Sequence, residues 1–213
     1  MTRYGEVFIG KKKHRVWKDP VLESRKIGLK GRFLQLKLEQ KKIIDIADIK
    51  GLDEKTDLQV LYLWSNKIKE IKGLDYLHNL IFLFLWQNQI DEIKGLDKLQ
   101  NLQLLSISNN NITEIKGLEN LTNLKYLDLK KNSITEIKGL DNLVNLEYLN
   151  LSKNRIEKLK GLENLTNLSG IVLKNNPIEP WLQETFGKTK FHDATVFGHS
   201  MKAQELVKYC QGQ

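Results

Sequence analysis

A Gly-Leu pair returns every 22 residues through most of this chain, at Gly51, Gly73, Gly95, Gly117, Gly139 and Gly161. Three more columns keep the same register: leucine at Leu58, Leu80, Leu102, Leu124, Leu146 and Leu168; asparagine from Asn66 to Asn176; isoleucine from Ile68 to Ile178. A period of this length marks stacked supersecondary units. No unit so short can bury its own apolar face, so the chain must coil into a solenoid in which each turn covers the next.

Aligned on Leu58, a unit reads LxxLxLxxNxIxxIxGLxxLxN. The alternation Leu61-x-Leu63 sends one face of a short strand inward. The asparagine after it can both donate and accept, so stacked copies can satisfy backbone groups where the chain turns inward. Ile68, Ile71, Leu74 and Leu77 follow at spacings of three, which suits 3₁₀ or irregular turns better than a long α-helix. Gly73 and its copies are expected to supply a positive φ.

The expected fold is therefore an α/β repeat: a right-handed solenoid with a concave parallel β-sheet, convex 3₁₀ or irregular turns, and a cap at each end. Five full units start at 58, 80, 102, 124 and 146, and a partial one at 168. The chain divides into a basic cap or arm at 1–42, repeats over 43–178 and a helical cap over 179–213. Upstream of 58 the register fades, because Lys41 stands where a strand leucine belongs. Residues 33–57 read as a degenerate first unit with its strand at Leu34, Leu36 and Leu38.

Units such as IKGLDNLVNLEYLNLSKNRIEKLKGLENLTNL resemble the 22-residue class of leucine-rich repeats. That class includes the phosphatase-1 regulatory subunit rich in such repeats, the U2 ribonucleoprotein A-prime protein and the bacterial internalins. The resemblance spans roughly residues 45–178. It implies a scaffold or regulatory subunit whose concave face contacts another protein.

Adjacent strands lie about 4.8 Å apart, so residues between the inward leucines form columns on the concave face. One column reads Val60, Phe82, Leu104, Tyr126, Tyr148, Gly170; the next Tyr62, Phe84, Ser106, Asp128, Asn150, Val172; the third Trp64, Trp86, Ser108, Lys130, Ser152, Lys174. Val60, Tyr62, Trp64, Phe82, Phe84 and Trp86 are expected to make one exposed patch on two neighbouring units, unless they pack on one another or under the N-terminal segment folded across the face. Nothing in the repeat requires aromatics there, and rings of this kind anchor interfaces. Leu104, Tyr126, Asp128 and Tyr148 extend the expected binding surface.

Charge supplies an alternative site. Of the 213 residues, the first 42 hold 13 Lys and Arg against 4 Asp and Glu, a net of +9 in a chain whose total is +8. Such a segment suits nucleic acid or an acidic partner, unless it only solvates a cap. Elsewhere a lysine column from Lys50 to Lys160 stands two residues after acids such as Glu70, Glu92, Glu114 and Glu136, as expected of a solvated convex surface. A further acidic column, Asp53 to Glu163, suits turn caps.

At the C-terminal end, Trp181, Leu182 and Phe186 suit a short helix. A second helix from Ser200 would place Ala203, Leu206, Val207 and Cys210 on one face. Cys210 then packs as an apolar residue, and His192, His199 and Cys210 match no zinc spacing. The four histidines are scattered and no phosphate-binding glycine loop occurs, so we expect no catalysis, cofactor or metal. The N-terminus has no signal-peptide core and no stretch long enough to span a membrane. A cytoplasmic monomer is the expectation.

Overall fold

The computed structural model describes residues 3–9, 12–18, 22–24, 29–31, 33–178 and 201–212. Seven strands run parallel and form the concave wall of a solenoid: β5 (Leu34–Lys37), β7 (Val60–Tyr62), β8 (Phe82–Phe84), β9 (Leu104–Ser106), β10 (Tyr126–Asp128), β11 (Tyr148–Asn150) and β12 (Gly170–Val172). Each pairs with its neighbour exactly one unit on: Tyr62 faces Phe84, Phe84 faces Ser106, and Ser106 faces Asp128. The strand expected at Leu34, Leu36 and Leu38 is β5, paired Gln35 to Val60 and Leu36 to Leu61, so the first turn takes 25 residues instead of 22.

The N-terminal segment extends the same sheet. Strands β1 (Arg3–Ile9) and β2 (Lys12–Lys18) form an antiparallel hairpin; β2 pairs with β5, and β1 pairs with β6 (Ile49–Lys50). Val7 is buried within the main core. Strands β3 (Leu22–Ser24) and β4 (Leu29–Gly31) form a separate two-stranded sheet.

The template residues behave as their chemistry requires. The inward leucines and isoleucines of every unit merge into one continuous buried core. Leucines three apart close successive i→i−3 turns, as in Leu77 N–H to Leu74 O (3.0 Å) and Leu80 N–H to Leu77 O (2.9 Å), which answers the three-residue spacing. Gly95 has φ +72°, and a Cβ there would lie 2.2 Å from the Ile71 carbonyl oxygen, so only glycine fits.

The asparagine column forms a ladder. Asn110 Nδ2 donates to the carbonyls of Leu85 (3.1 Å) and Ile107 (3.0 Å), while Oδ1 accepts from Ile90 N–H (3.0 Å). Asn66, Asn88, Asn132 and Asn154 repeat the pattern. Just before each asparagine sits a non-glycine residue with left-handed φ, such as Ser65 at 54° and Lys131 at 56°. That conformation costs about 1 kcal/mol or more per residue, and the amide that turns the chain inward offsets it. The second asparagine of the repeat pattern forms an exposed ladder of its own, which ties Asn79 to the Thr56 carbonyl and Asn101 to that of His78.

The expected helix is α1 (Met201–Gln211), and Ala203, Leu206, Val207 and Cys210 are all buried in the main core. Gln204 Nε2 donates to Leu168 O (2.7 Å) and Gln211 Nε2 to Glu163 O (2.8 Å), which fastens the helix to the last turns. Trp181, Leu182, Phe186, His192 and His199 lie outside the described residues.

Candidate functional site

The concave face carries what the template leaves free, and its two ends differ. On β7 and β8 the rings stack across the strands. Tyr62 and Phe84 lie 4.8 Å apart between centroids at an interplanar angle of 3°, and Trp64 and Trp86 lie 4.5 Å apart at 4°. The register explains this geometry, since cross-strand partners in a parallel sheet sit one strand spacing apart, close to the thickness of a stacked ring pair. All four rings are half-buried.

Two members of the expected patch are not exposed. Val60 and Phe82 are both 0 % accessible and form a small cluster of their own, flanked by Phe33, Tyr62, Ile81, Phe84, Leu104 and Tyr126. Phe33, just before β5, meets the Phe82 ring edge-on at 5.2 Å. Val60 belongs to the same cluster, so all three pack together. Periodicity gives the side of the sheet from which a residue departs; it is blind to a ring laid on top by a remote segment. The exposed aromatic surface is therefore Tyr62, Phe84, Trp64 and Trp86.

Beyond β8 the face turns polar. Leu104, Tyr126, Asp128 and Tyr148 are half-buried. Tyr126 and Tyr148 lie 6.3 Å apart, and the Tyr126 hydroxyl donates to Glu147 Oε2 (3.3 Å). Burial, then the Glu147 charge, pushes the Tyr126 hydroxyl pKa above its ordinary value; burial and the Asp128 charge do the same at Tyr148. Asp128 Oδ1 accepts from the Lys130 N–H (3.1 Å), which fixes its side chain near the strand end.

On the other side of the ladder, β5 contributes residues that the sequence reading had not placed on this face. Lys37 pairs with Tyr62 in the register, and its Nζ lies 5.7 Å from the centre of the Tyr62 ring. The inward alternation of Leu34, Leu36 and Leu38 was the available signal, because it sends Gln35 and Lys37 to the opposite side.

Elsewhere the chemistry is structural. Glu92 bridges Lys94 (3.1 Å) and Lys116 (2.9 Å), and Glu114 takes Lys138 (2.9 Å), giving a staggered charge ladder on exposed convex side chains. The lysine partners hold the Glu92 and Glu114 carboxyls below their usual range. Glu119 and Glu163 accept from the N–H groups of Gly117 and Gly161 (3.0 Å each), a local cap of the expected kind. Burial raises the Cys210 thiol to about 11, and its Sγ contacts Leu159 O at 3.6 Å. A convex hollow of about 840 Å³ is lined by Thr135, Glu136, Lys138, Lys158 and neighbours of both charges. Among the described residues, no group of three His, Cys, Asp or Glu could hold a metal ion, and no helix is long and apolar enough to cross a membrane.

Comparison with known proteins gives the same architecture. The family model described as leucine rich repeats in two copies matches residues 56–98, 100–142 and 144–184. Internalin InlF from Listeria monocytogenes superposes with a TM-score of 0.62 at 28 % identity, over 78 % of this chain and 49 % of that one. The leucine-rich repeat protein LIC12759 of Leptospira interrogans gives 0.59 at 30 % identity, over 69 % of this chain and 38 % of its own. Internalin C2 from the same Listeria species gives 0.52 at 29 %, over 68 % and 73 %. This chain thus spans about half the length of InlF. No curated protein matches it in sequence.

Proposed function

Because this chain belongs to the leucine-rich repeat family, whose fold serves as a protein-interaction module, we propose that it is a non-catalytic module that binds another protein through the aromatic ladder of its concave sheet. The observation that carries this reading is the pair of half-buried stacks, Tyr62 on Phe84 across β7 and β8 and Trp64 on Trp86 just past the ends of those strands. Stacking lowers the rings' freedom before any partner arrives, so little side-chain entropy remains to be lost on binding. Aromatic anchors so held are the usual centres of interface energy.

The test is affinity capture and calorimetry with wild-type chain beside a Trp64→Ala/Trp86→Ala variant. We expect each substitution to weaken the captured partner by about 2 kcal/mol or more, with the far-UV circular dichroism of the fold retained. Undiminished affinity in the double variant removes the reading.

The second reading places an acidic partner or nucleic acid on residues 1–42, and the net charge of +9 supports it. Salt separates the two. Binding to phosphates falls steeply between low and physiological salt, whereas aromatic burial barely responds.

A further inference from the structure

Each bridging asparagine of the ladder is flanked by three residues that the repeat leaves free, the two before it and the one after. In the turns of Asn66 and Asn88 these positions include Trp64 and Trp86. In the four turns from Asn110 to Asn176 they hold five cations, Lys130, Lys131, Lys153, Arg155 and Lys174, and no acid. All five residues are exposed. The backbone ties their turns together: Lys131 N–H donates to Ser152 O and Lys153 N–H to Lys174 O, at 2.8 Å each. Lys130 and Lys174 stand two strand spacings apart in one column, so the five positions fall within about 10 Å along the sheet.

Like charges so placed repel one another unless something answers them. The convex lysines have their acids: Lys72 meets Asp45 at 2.7 Å, Lys116 meets Glu92 at 2.9 Å and Lys138 meets Glu114 at 2.9 Å. Among the described residues, none of the five rim cations is in an ion pair. Acids stand only at the borders of the patch: Asp128, whose Oδ1 accepts from the Lys130 N–H, and Glu157, two residues past Arg155. Past residue 42 the chain has a net charge of −1, so the rim is a local concentration of charge and not a share of a general excess.

Resting on the reading that this face binds a protein, and naming part of what it binds, we propose that the rim beside β10, β11 and β12 docks an acidic segment of that partner. Charge complementarity of this kind sets orientation and speeds encounter. The size fits a short segment, since an extended chain advances about 3.3 Å per residue and three or four residues cross the patch. The place fits as well. Trp86 stands two strand spacings before Lys130 in the same column, so a segment laid along it meets the tryptophan pair and then the cations. Nucleic acid suits the rim less. Proteins that bind single strands combine a basic track with rings on which bases stack, and the rim positions of these four turns hold no ring. Tyr126 and Tyr148 stand four residues before Lys130 and Ser152, about 13 Å back along the strands.

The test titrates the full chain, isotope-labelled, with acetyl-hexaglutamate-amide, its hexaglutamine counterpart and hexathymidylate. Hexaglutamate should give saturable amide shifts centred on Lys131, Lys153 and Arg155, weakening as salt is raised, and hexaglutamine should give none. Lys153→Gln/Arg155→Gln removes two exposed charges and should weaken hexaglutamate at the rim about fivefold, with the far-UV circular dichroism retained. Lys116→Gln, on the convex face, should leave the rim response unchanged.

No saturable shift at the rim overturns the proposal, as does an equal response to hexaglutamine or an undiminished one in the double variant. Shifts confined to residues 1–42 overturn it too, since the acidic site would then lie there. Tighter binding of hexathymidylate at the rim overturns a protein segment as the occupant. The Trp64→Ala/Trp86→Ala variant separates these results from the broader reading: undiminished capture by it counts against the aromatic ladder, while its rim response to hexaglutamate reads the cations alone.

Discussion

Strands β7–β8 and β10–β11 have nearly the same backbone. Each pair is parallel, in register and followed by a left-handed residue at the same repeat position and by the same asparagine bridge. Their concave side chains nevertheless do different work. Val60 and Phe82 sink under Phe33 and become core, whereas Tyr126 and Tyr148 at the equivalent positions stay half-exposed. Further along, Tyr62, Phe84, Trp64 and Trp86 stack, while Asp128, Asn150, Lys130 and Ser152 are polar. The repeat specifies a surface of fixed spacing; what covers it and what it binds depend on residues the repeat does not specify.

The sharpest way to break this contrast is to truncate one position in both halves. Phe82→Ala empties a fully buried site and should cost about 3–5 kcal/mol in urea unfolding. Tyr148→Ala, at the same place in the template, should cost about 1 kcal/mol. Equal losses would mean that Phe33 does not seal Phe82, and that the two halves are alike after all.

A template position should show no such asymmetry. Asn110→Ala leaves the carbonyls of Leu85 and Ile107 and the N–H of Ile90 without their amide partner, and Asn132→Ala does the same one unit on. Each should cost about 2–3 kcal/mol, and the two values should agree within error by thermal or denaturant unfolding. A marked difference would show that the ladder, too, depends on local surroundings.

These pairs also explain how much was legible in advance. The leucine, asparagine and glycine columns could be read because spacing alone tells which residues must meet in neighbouring turns, and α1 could be read because Ala203, Leu206, Val207 and Cys210 fall on one helical face. Tyr62 and Phe84 follow from the same arithmetic. Phe33 over Phe82 does not, since the two are 49 positions apart and no period links them. The hairpin of β1 and β2 escaped for a like reason: it joins the sheet by antiparallel pairing with β5 and β6, outside the repeat. Lys37 was hidden by the degenerate first unit, whose 25-residue turn breaks the column in which it would have been seen.

The convex side gives the smallest expected effect and so bounds the comparison from below. There both halves carry the same ladder of Glu92, Lys94, Glu114, Lys116 and Lys138 on exposed side chains, where solvent screens each pair. Glu92 and Glu114 have carboxyls that their lysine partners hold below the ordinary glutamate value of 4.5. Folding is thus favoured by their ionised forms: the contribution is present above pH 4.5 and fades as pH falls through the lowered folded values. Thermal melts of Glu114→Gln beside wild type should differ slightly near neutrality and converge in acid. The difference should shrink at high salt too, because an exposed pair that loses its field loses its contribution. A melting difference that survived both acid and salt would mean that Glu114 acts through packing, and the convex ladder would then belong with the core columns instead of the solvated surface.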